Sequence, residues 1–224
     1  LEPEGVEYAL TGPLPGDQVF AHVSAAADGG YLVWQDNRTD GDGLGIGARR
    51  LDGSLSGTLG SFRVNEVGTG DQERPQVGVL RDGGAVFVWQ GGTSGSQRIY
   101  ARFMGPDGTF ITGDLQVNTY ADTFQQDPSV ACLDDGTVVV VWASYGQDSD
   151  GRDSGTKAER LLGVFGQRLS ASGEPLGDEF QVNQSWINNQ RSPTVAALDG
   201  NKYVVAWITE SYSGLTMQVD EGGQ

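Results

Sequence analysis

The sequence predicts an all-β chain, a β-propeller of four-stranded antiparallel blades in four repeats, forming a closed four-bladed ring or part of a larger one. Three observations predict it. A block of about 50 residues recurs four times, Asp-Gly turns separate short apolar runs, and no stretch carries 3.6-residue periodicity with caps.

Each repeat opens on an aromatic or apolar residue: Tyr8, Phe62, Leu115 and Phe180. A glutamine follows ten residues later, at Gln18, Gln72, Gln125 and Gln190. An apolar run then ends at Trp34, Trp89, Trp142 or Trp207. Three copies share a Val-Asn pair near their start: Val64-Asn65, Val117-Asn118 and Val182-Asn183. The repeats span about 7–60, 61–114, 115–178 and 179–224 of a single 1–224 domain.

The first strand of a repeat is read at Pro75 to Leu80, with counterparts at Pro128 to Leu133 and Pro193 to Leu198. A turn follows it, as at Asp82-Gly83 and Asp135-Gly136. Asp-Gly between apolar runs signals a hairpin, because a type I′ turn needs positive φ. The second strand is apolar almost throughout, as in Val139-Val140-Val141-Trp142. A strand apolar on both faces must be covered on both. Blades stacked on either side do that. Third strands are predicted at Ile46 to Leu51, Ile99 to Phe103, Val164 to Leu169 and Leu215 to Val219. The fourth carries the Val-Asn pair. A stack of β-sandwiches would need a period of roughly 90 to 100 residues, so a single-repeat period disfavours it. The chain opens on a fourth-strand segment, Tyr8 to Thr11, and closes on a third-strand one. Pairing between them would close the ring and remove sheet edges.

Trp34-Gln35-Asp36-Asn37-Arg38 followed by Gly45-Ile46-Gly47-Ala48-Arg49 resembles a repeat of secreted bacterial and archaeal surface proteins. Ile99-Tyr100-Ala101-Arg102 and Phe180-Gln181-Val182-Asn183 look similar to other parts of that repeat. The resemblance implies a propeller in an extracellular or cell-surface setting and no specific activity. Only the first copy keeps both Asp36 and Arg38 of the Trp-x-Asp-x-Arg pattern.

Acidic residues outnumber basic ones 30 to 14, giving a formal charge of −16. That argues against a nucleic-acid partner, since phosphate binding needs Lys/Arg clusters. No apolar run approaches the roughly 18 residues of a membrane span. Cys132 is the one cysteine, so no internal disulfide forms, and its apolar context reads as core.

Two acidic loops are candidate calcium sites: Asp148, Asp150 and Asp153 in one, Asp36, Asp40 and Asp42 in the other. Alternating carboxylates supply the hard oxygen ligands that Ca²⁺ takes. Gly151 breaks the spacing of an EF-hand loop, and a solvated acidic loop is the rival reading. Trp186 lies outside the repeat pattern beside Asn188 and Asn189, as a sugar platform or a loop-packing residue would. Each repeated Gln is expected to bond backbone groups, and each repeated Trp to pack between blades.

Catalysis finds little support in these residues. His22 is the only histidine, and no Gly-x-Ser-x-Gly elbow or His/Cys metal cluster is present. The expectation is therefore a binding or scaffold propeller that is not an enzyme, with a protein or glycan partner and a homodimer or larger assembly as its setting. A carbohydrate-binding lectin is the first alternative and a glycoside hydrolase the second.

Overall fold

The computed structural model describes residues 14–53, 60–148, 161–185, 187–211 and 214–222, with side chains described up to residue 210. The chain is all-β. Its strands are β1 (Gln18–Ala26), β2 (Gly29–Asp36), β3 (Gly45–Asp52), β4 (Phe62–Arg63), β5 (Asp71–Val79), β6 (Ala85–Gly92), β7 (Arg98–Met104) and β8 (Leu115–Gln116). They continue as β9 (Gln125–Cys132), β10 (Val138–Tyr145), β11 (Leu162–Leu169), β12 (Phe180–Gln181), β13 (Gln190–Leu198), β14 (Lys202–Ser211) and β15 (Gly214–Gly222).

These form four antiparallel sheets, each in chain order: β1 to β4, β5 to β8, β9 to β12, and β13 to β15. Three sheets have four strands, and the fourth has three among the described residues. The predicted partner for its edge, Tyr8 to Thr11, lies outside the described residues. No described helix is long and apolar enough to cross a membrane.

The inner strands begin earlier than the sequence reading placed them. β5, β9 and β13 start at or just before the repeated Gln and run through the following Pro. Proline has no N–H to give to a ladder, so the strand passes it by bulging. The register accordingly slips between Glu73 and Gln76, between Arg191 and Thr194 and, in the third sheet, opposite Val141 and Ala143; it slips between Val19 and His22 as well, where no proline stands.

Sheets pack face to face in chain order. Tyr31, Val33, Phe87 and Trp89 belong to the core between the first and second sheets. Val86, Val88, Val140 and Trp142 fill the next, and Val139, Val141, Val205 and Trp207 the third. β6 and β10 are buried along nearly their whole length, because each has a sheet on either side. Phe87 lies edge-on to Tyr31, Phe62 and Phe110, with centroids 5.5, 6.1 and 6.1 Å away.

The repeated polar residues lock the ends of these sheets. Asn65 Oδ1 accepts the Ile46 N–H at 2.8 Å, while its Nδ2 donates to Gln72 Oε1 at 3.0 Å. Gln72 Nε2 in turn donates to the Thr69 and Gly70 carbonyls. Asn183 and Gln190 repeat the arrangement around Val164, Ile187 and Asn188. Asn118 keeps the bond to the Ile99 N–H, and Gln125 takes the Trp142 indole N–H instead. Each clamp satisfies strand-end backbone groups that the ladder leaves unpaired.

Candidate functional site

The four inner strands β1, β5, β9 and β13 meet around one axis. Residues from all four line a cavity of about 230 Å³ at one end of it. A second cavity, of about 240 Å³, is lined by His22, Val77, Cys132 and Ala196 among others, again from all four strands.

The first cavity is built by the bulges. Phe20, Arg74, Asp127 and Ser192 each stand two residues after a repeated Gln and line it. All four hold positive φ, at 52°, 51°, 54° and 51°. Side chains other than Gly and Asn rarely adopt that conformation, and it gathers at functional sites because the surrounding structure must enforce it. Here the enforcement is visible. The Arg74 N–H donates to Gln35 Oε1 at 2.7 Å, and the Asp127 N–H donates to Gln90 Oε1 at 2.9 Å. In both cases the glutamine follows the repeated Trp of the preceding sheet.

The side chains at the bulges differ, and they interact. Arg74 Nη1 lies 3.0 Å from Asp127 Oδ1, with Asp127 mostly buried and Arg74 half-exposed. The Arg74 guanidinium sits over the Phe20 ring, 5.0 Å from its centroid. Gln90 Nε2 donates to Glu73 Oε2 at 3.1 Å, so one amide links Glu73 and the Asp127 backbone. The cavity mouth thus carries an exposed aromatic side chain, a fixed ion pair and a hydroxyl at Ser192.

The candidates named from sequence lie elsewhere. Asp36 Oδ1 accepts the Arg38 and Thr39 N–H groups, and Oδ2 accepts the Trp34 indole and the Thr39 hydroxyl. Asp40 takes the Asn65 amide at 2.9 Å and the Asp42 N–H at 3.2 Å, and Asp42 itself is exposed. Asp148 follows β10 as Asp40 follows β2, and takes the Asn183 amide at 2.7 Å and the Gln181 amide at 2.6 Å. Among the described residues no three His, Cys, Asp or Glu side chains gather to hold a metal. Asp150, Asp153 and Trp186 lie outside the described residues.

Sequence reasoning passed over Phe20, Arg74, Asp127 and Ser192. The signal was a fixed position, two after Gln, where the residue type changes while its surroundings repeat; in three of the four copies proline follows it.

No family model matches the chain, and no curated protein matches it in sequence. Solved structures do share its fold. The endo-arabinase of Bacteroides thetaiotaomicron VPI-5482 superposes with a TM-score of 0.57 at 13% identity, over 93% of this chain and 77% of that one. A thermostable family-43 glycoside hydrolase gives 0.53 at 15%, over 94% and 71%. The α-L-arabinofuranosidase of Lactobacillus brevis gives 0.53 at 15%, over 93% and 69%. At such identities the likeness shows the fold, which is propeller-like. It also corrects the expectation of a non-enzymatic binding or scaffold module. The fold recurs here in glycoside hydrolases, so the absence of histidine-based machinery was the wrong ground for setting catalysis aside.

Proposed function

We propose that the chain is a carbohydrate-active propeller of glycoside hydrolase type, taking a sugar residue of an extracellular glycan at the axial mouth. The observation that carries this reading is the convergence of Phe20, Arg74, Asp127 and Ser192 on one cavity at enforced backbone bulges. The fold shared with arabinases and an arabinofuranosidase supports it and makes an arabinofuranosyl unit the first substrate class to try.

Glycoside hydrolysis needs two carboxyl groups, one to protonate the leaving oxygen and one to activate water or attack the sugar. Asp127 lines the cavity and is the carboxylate assigned to the sugar; Glu73, next in sequence to Arg74 and held by Gln90, is the nearest candidate for the second. Phe20 offers its apolar face to the sugar ring. Arg74 orients Asp127 and offers its remaining N–H groups to hydroxyls. A cavity of about 230 Å³ is smaller than the roughly 300–1,000 Å³ of drug-sized pockets, so it suits a single sugar ring.

The test is hydrolysis of aryl α-L-arabinofuranoside and of arabinan by the wild-type chain and by Asp127→Asn. Loss of a catalytic carboxylate is expected to lower kcat/KM by about 10²-fold or more, with the melting temperature kept. No cleavage of either substrate, or equal rates for both proteins, overturns the reading. Saturable sugar binding without turnover would leave a carbohydrate-binding protein in its place.

A further inference from the structure

The first sheet departs from the second and third at one register. Opposite the repeated tryptophan, the second sheet has Tyr100 and the third has Phe165, whereas the first has Gly47. One strand further out, Gln116 and Gln181 stand beside those aromatic residues, and Arg63 stands beside Gly47. Trp89 stacks on Tyr100, with 6.0 Å between centroids. Trp34 lies across Gly47 instead, where a Cβ would meet its Nε1 at 2.6 Å. Exchanging an aromatic ring and an amide for a glycine and an arginine leaves a cavity of about 270 Å³, floored by Trp34 and edged by Pro15, Arg38, Ser61, Phe62 and Arg63. It shares no residue with the axial mouth.

This sheet is also the one that keeps Trp34, Asp36 and Arg38 of the repeated motif. Trp34 and Asp36 are both buried, so neither is itself offered to a ligand. Asp36 Oδ2 takes the Trp34 indole N–H at 2.8 Å, which fixes the floor. Asp36 Oδ1 takes the Arg38 and Thr39 N–H groups at 2.8 and 2.6 Å, which bends the loop so that Arg38 edges the cavity. With the Thr39 hydroxyl on Oδ2 as well, four donors meet this carboxylate, and the two arginines set the charge of the rim. Arg63 gives an Nη2 hydrogen bond to the Glu66 carbonyl at 2.9 Å, while its buried Nε has no partner among the described residues. Arg38 is exposed, and neither arginine forms an ion pair among the described residues. A buried donor left without a partner costs free energy that an incoming acceptor recovers.

We propose that this cavity is a second carbohydrate site, which takes the carboxylate of a uronic acid residue. Arginine presents planar N–H forks that match a carboxylate, and two of them converge here on a chain whose net charge is −16. The rest of the lining chooses among anions. Pro15 and Phe62 beside the Trp34 floor give a bare inorganic anion nothing, whereas a sugar ring sets C–H groups against them and a hydroxyl against Ser61. At about 270 Å³ the cavity lies just below the roughly 300–1,000 Å³ of drug-sized pockets, which suits one ring. The site stands on its own residues, whether or not the axial mouth cleaves arabinofuranosides.

The test titrates the 224-residue chain with galacturonate and with galactose, which differ only in carrying a carboxylate or a hydroxymethyl group, by calorimetry at millimolar ligand. Galacturonate is expected to bind saturably and at least about ten-fold more tightly than galactose, as a charge-assisted hydrogen bond provides. Arg63→Gln places at this register what the second and third sheets carry there, and Arg38→Gln changes an exposed residue, so both variants should keep the melting temperature. Each should weaken galacturonate about ten-fold or more. Asp127→Asn should leave that affinity unchanged, and neither arginine variant should alter any cleavage of aryl arabinofuranoside, so failure here is distinct from failure at the axis. The proposal is overturned by no saturable binding of galacturonate, by equal affinity for galactose, or by an affinity that either arginine variant leaves intact. Binding lost in Asp127→Asn would assign the ligand to the axial mouth and overturns it. Sodium sulfate competing at equal affinity would assign the arginines to a simple anion and overturns it too.

Discussion

His22 is a residue whose one proton matters to the fold. Its Nδ1 accepts the Val77 N–H at 3.2 Å across the first inter-sheet boundary. Ser24 accepts the Val79 N–H and Ser129 accepts the Val195 N–H, so side chains of one inner strand serve the backbone of the next. Only the neutral imidazole has an acceptor nitrogen. Burial lowers the His22 pKa from its ordinary value of about 6.5. The unfolded chain therefore binds more protons than the folded one just below that value, and stability rises with pH there. Thermal melts should show this stability intact above about pH 6.5 and lost progressively as pH falls from there through the lowered folded pKa. His22→Gln should flatten that part of the profile; an unchanged slope would place the titration elsewhere. Cys132 behaves differently, since burial pushes its thiol up to about 12 and leaves it a packing residue, as its apolar context indicated. The His22 bond was invisible in the sequence because it joins residues 55 apart. The Gln half of each clamp was legible because its repetition marked it, while the Asn was marked as a repeat without its role.

The element that decides the candidate site is the bulge of each inner strand. Three bulges carry proline immediately after the positive-φ residue, at Pro75, Pro128 and Pro193. Proline alone was readable in the sequence, but it marks an interruption of the ladder and not the direction of the residue before it. That direction comes from the preceding sheet, whose Gln35 and Gln90 capture the bulge N–H groups. A reading that treated each repeat as a separate unit could not supply it. The same separation made the Asp36, Asp40 and Asp148 carboxylates look unengaged, when in the fold they accept hydrogen bonds from Trp34, Asn65 and Asn183. If the bulge conformation is enforced, relieving it should stabilise the protein. Left-handed backbone costs an L-residue roughly 1–2 kcal/mol, of which glycine's greater unfolded-state freedom cancels about 0.4–1. Ser192→Gly should therefore gain about 0.5–1 kcal/mol in urea titrations, and Ser192→Val should lose stability. Equal losses from both would mean that residue 192 does not hold positive φ in solution.

On the scale of the whole molecule, stability is a sum over neighbouring sheets. Each sheet touches only the one before and the one after, so a sheet with two partners is held more firmly than a sheet with one. The sequence displayed the repeats that create this arrangement, but the repeats are alike at the ends and in the middle. Val23 and Val77 occupy the same place in their repeats, and Leu198 the same place as Leu133. Nothing local distinguishes the exposed Val23 and Leu198 from their covered counterparts, which is why exposure at the end sheets does not read along the chain. The difference is dynamic as well as geometric. β6 and β10 lie between cores on both faces, and β5 and β9 have inner-strand neighbours on both sides. Among the described residues β1 and β13 have one each. Local opening free energies follow buried apolar contact, from near zero at bare edges up to the global value in the core. Native-state hydrogen exchange of the 224-residue chain should therefore rank its strands by position. β6 and β10 should exchange at or near the rate of global unfolding, and β5 and β9 close behind. β1 and β13 should open more easily, by sub-global events that denaturant hardly accelerates, because little surface is exposed in them. Exchange that is uniform across all four sheets would mean that they unfold as one unit, and that the outward faces of β1 and β13 are covered in solution.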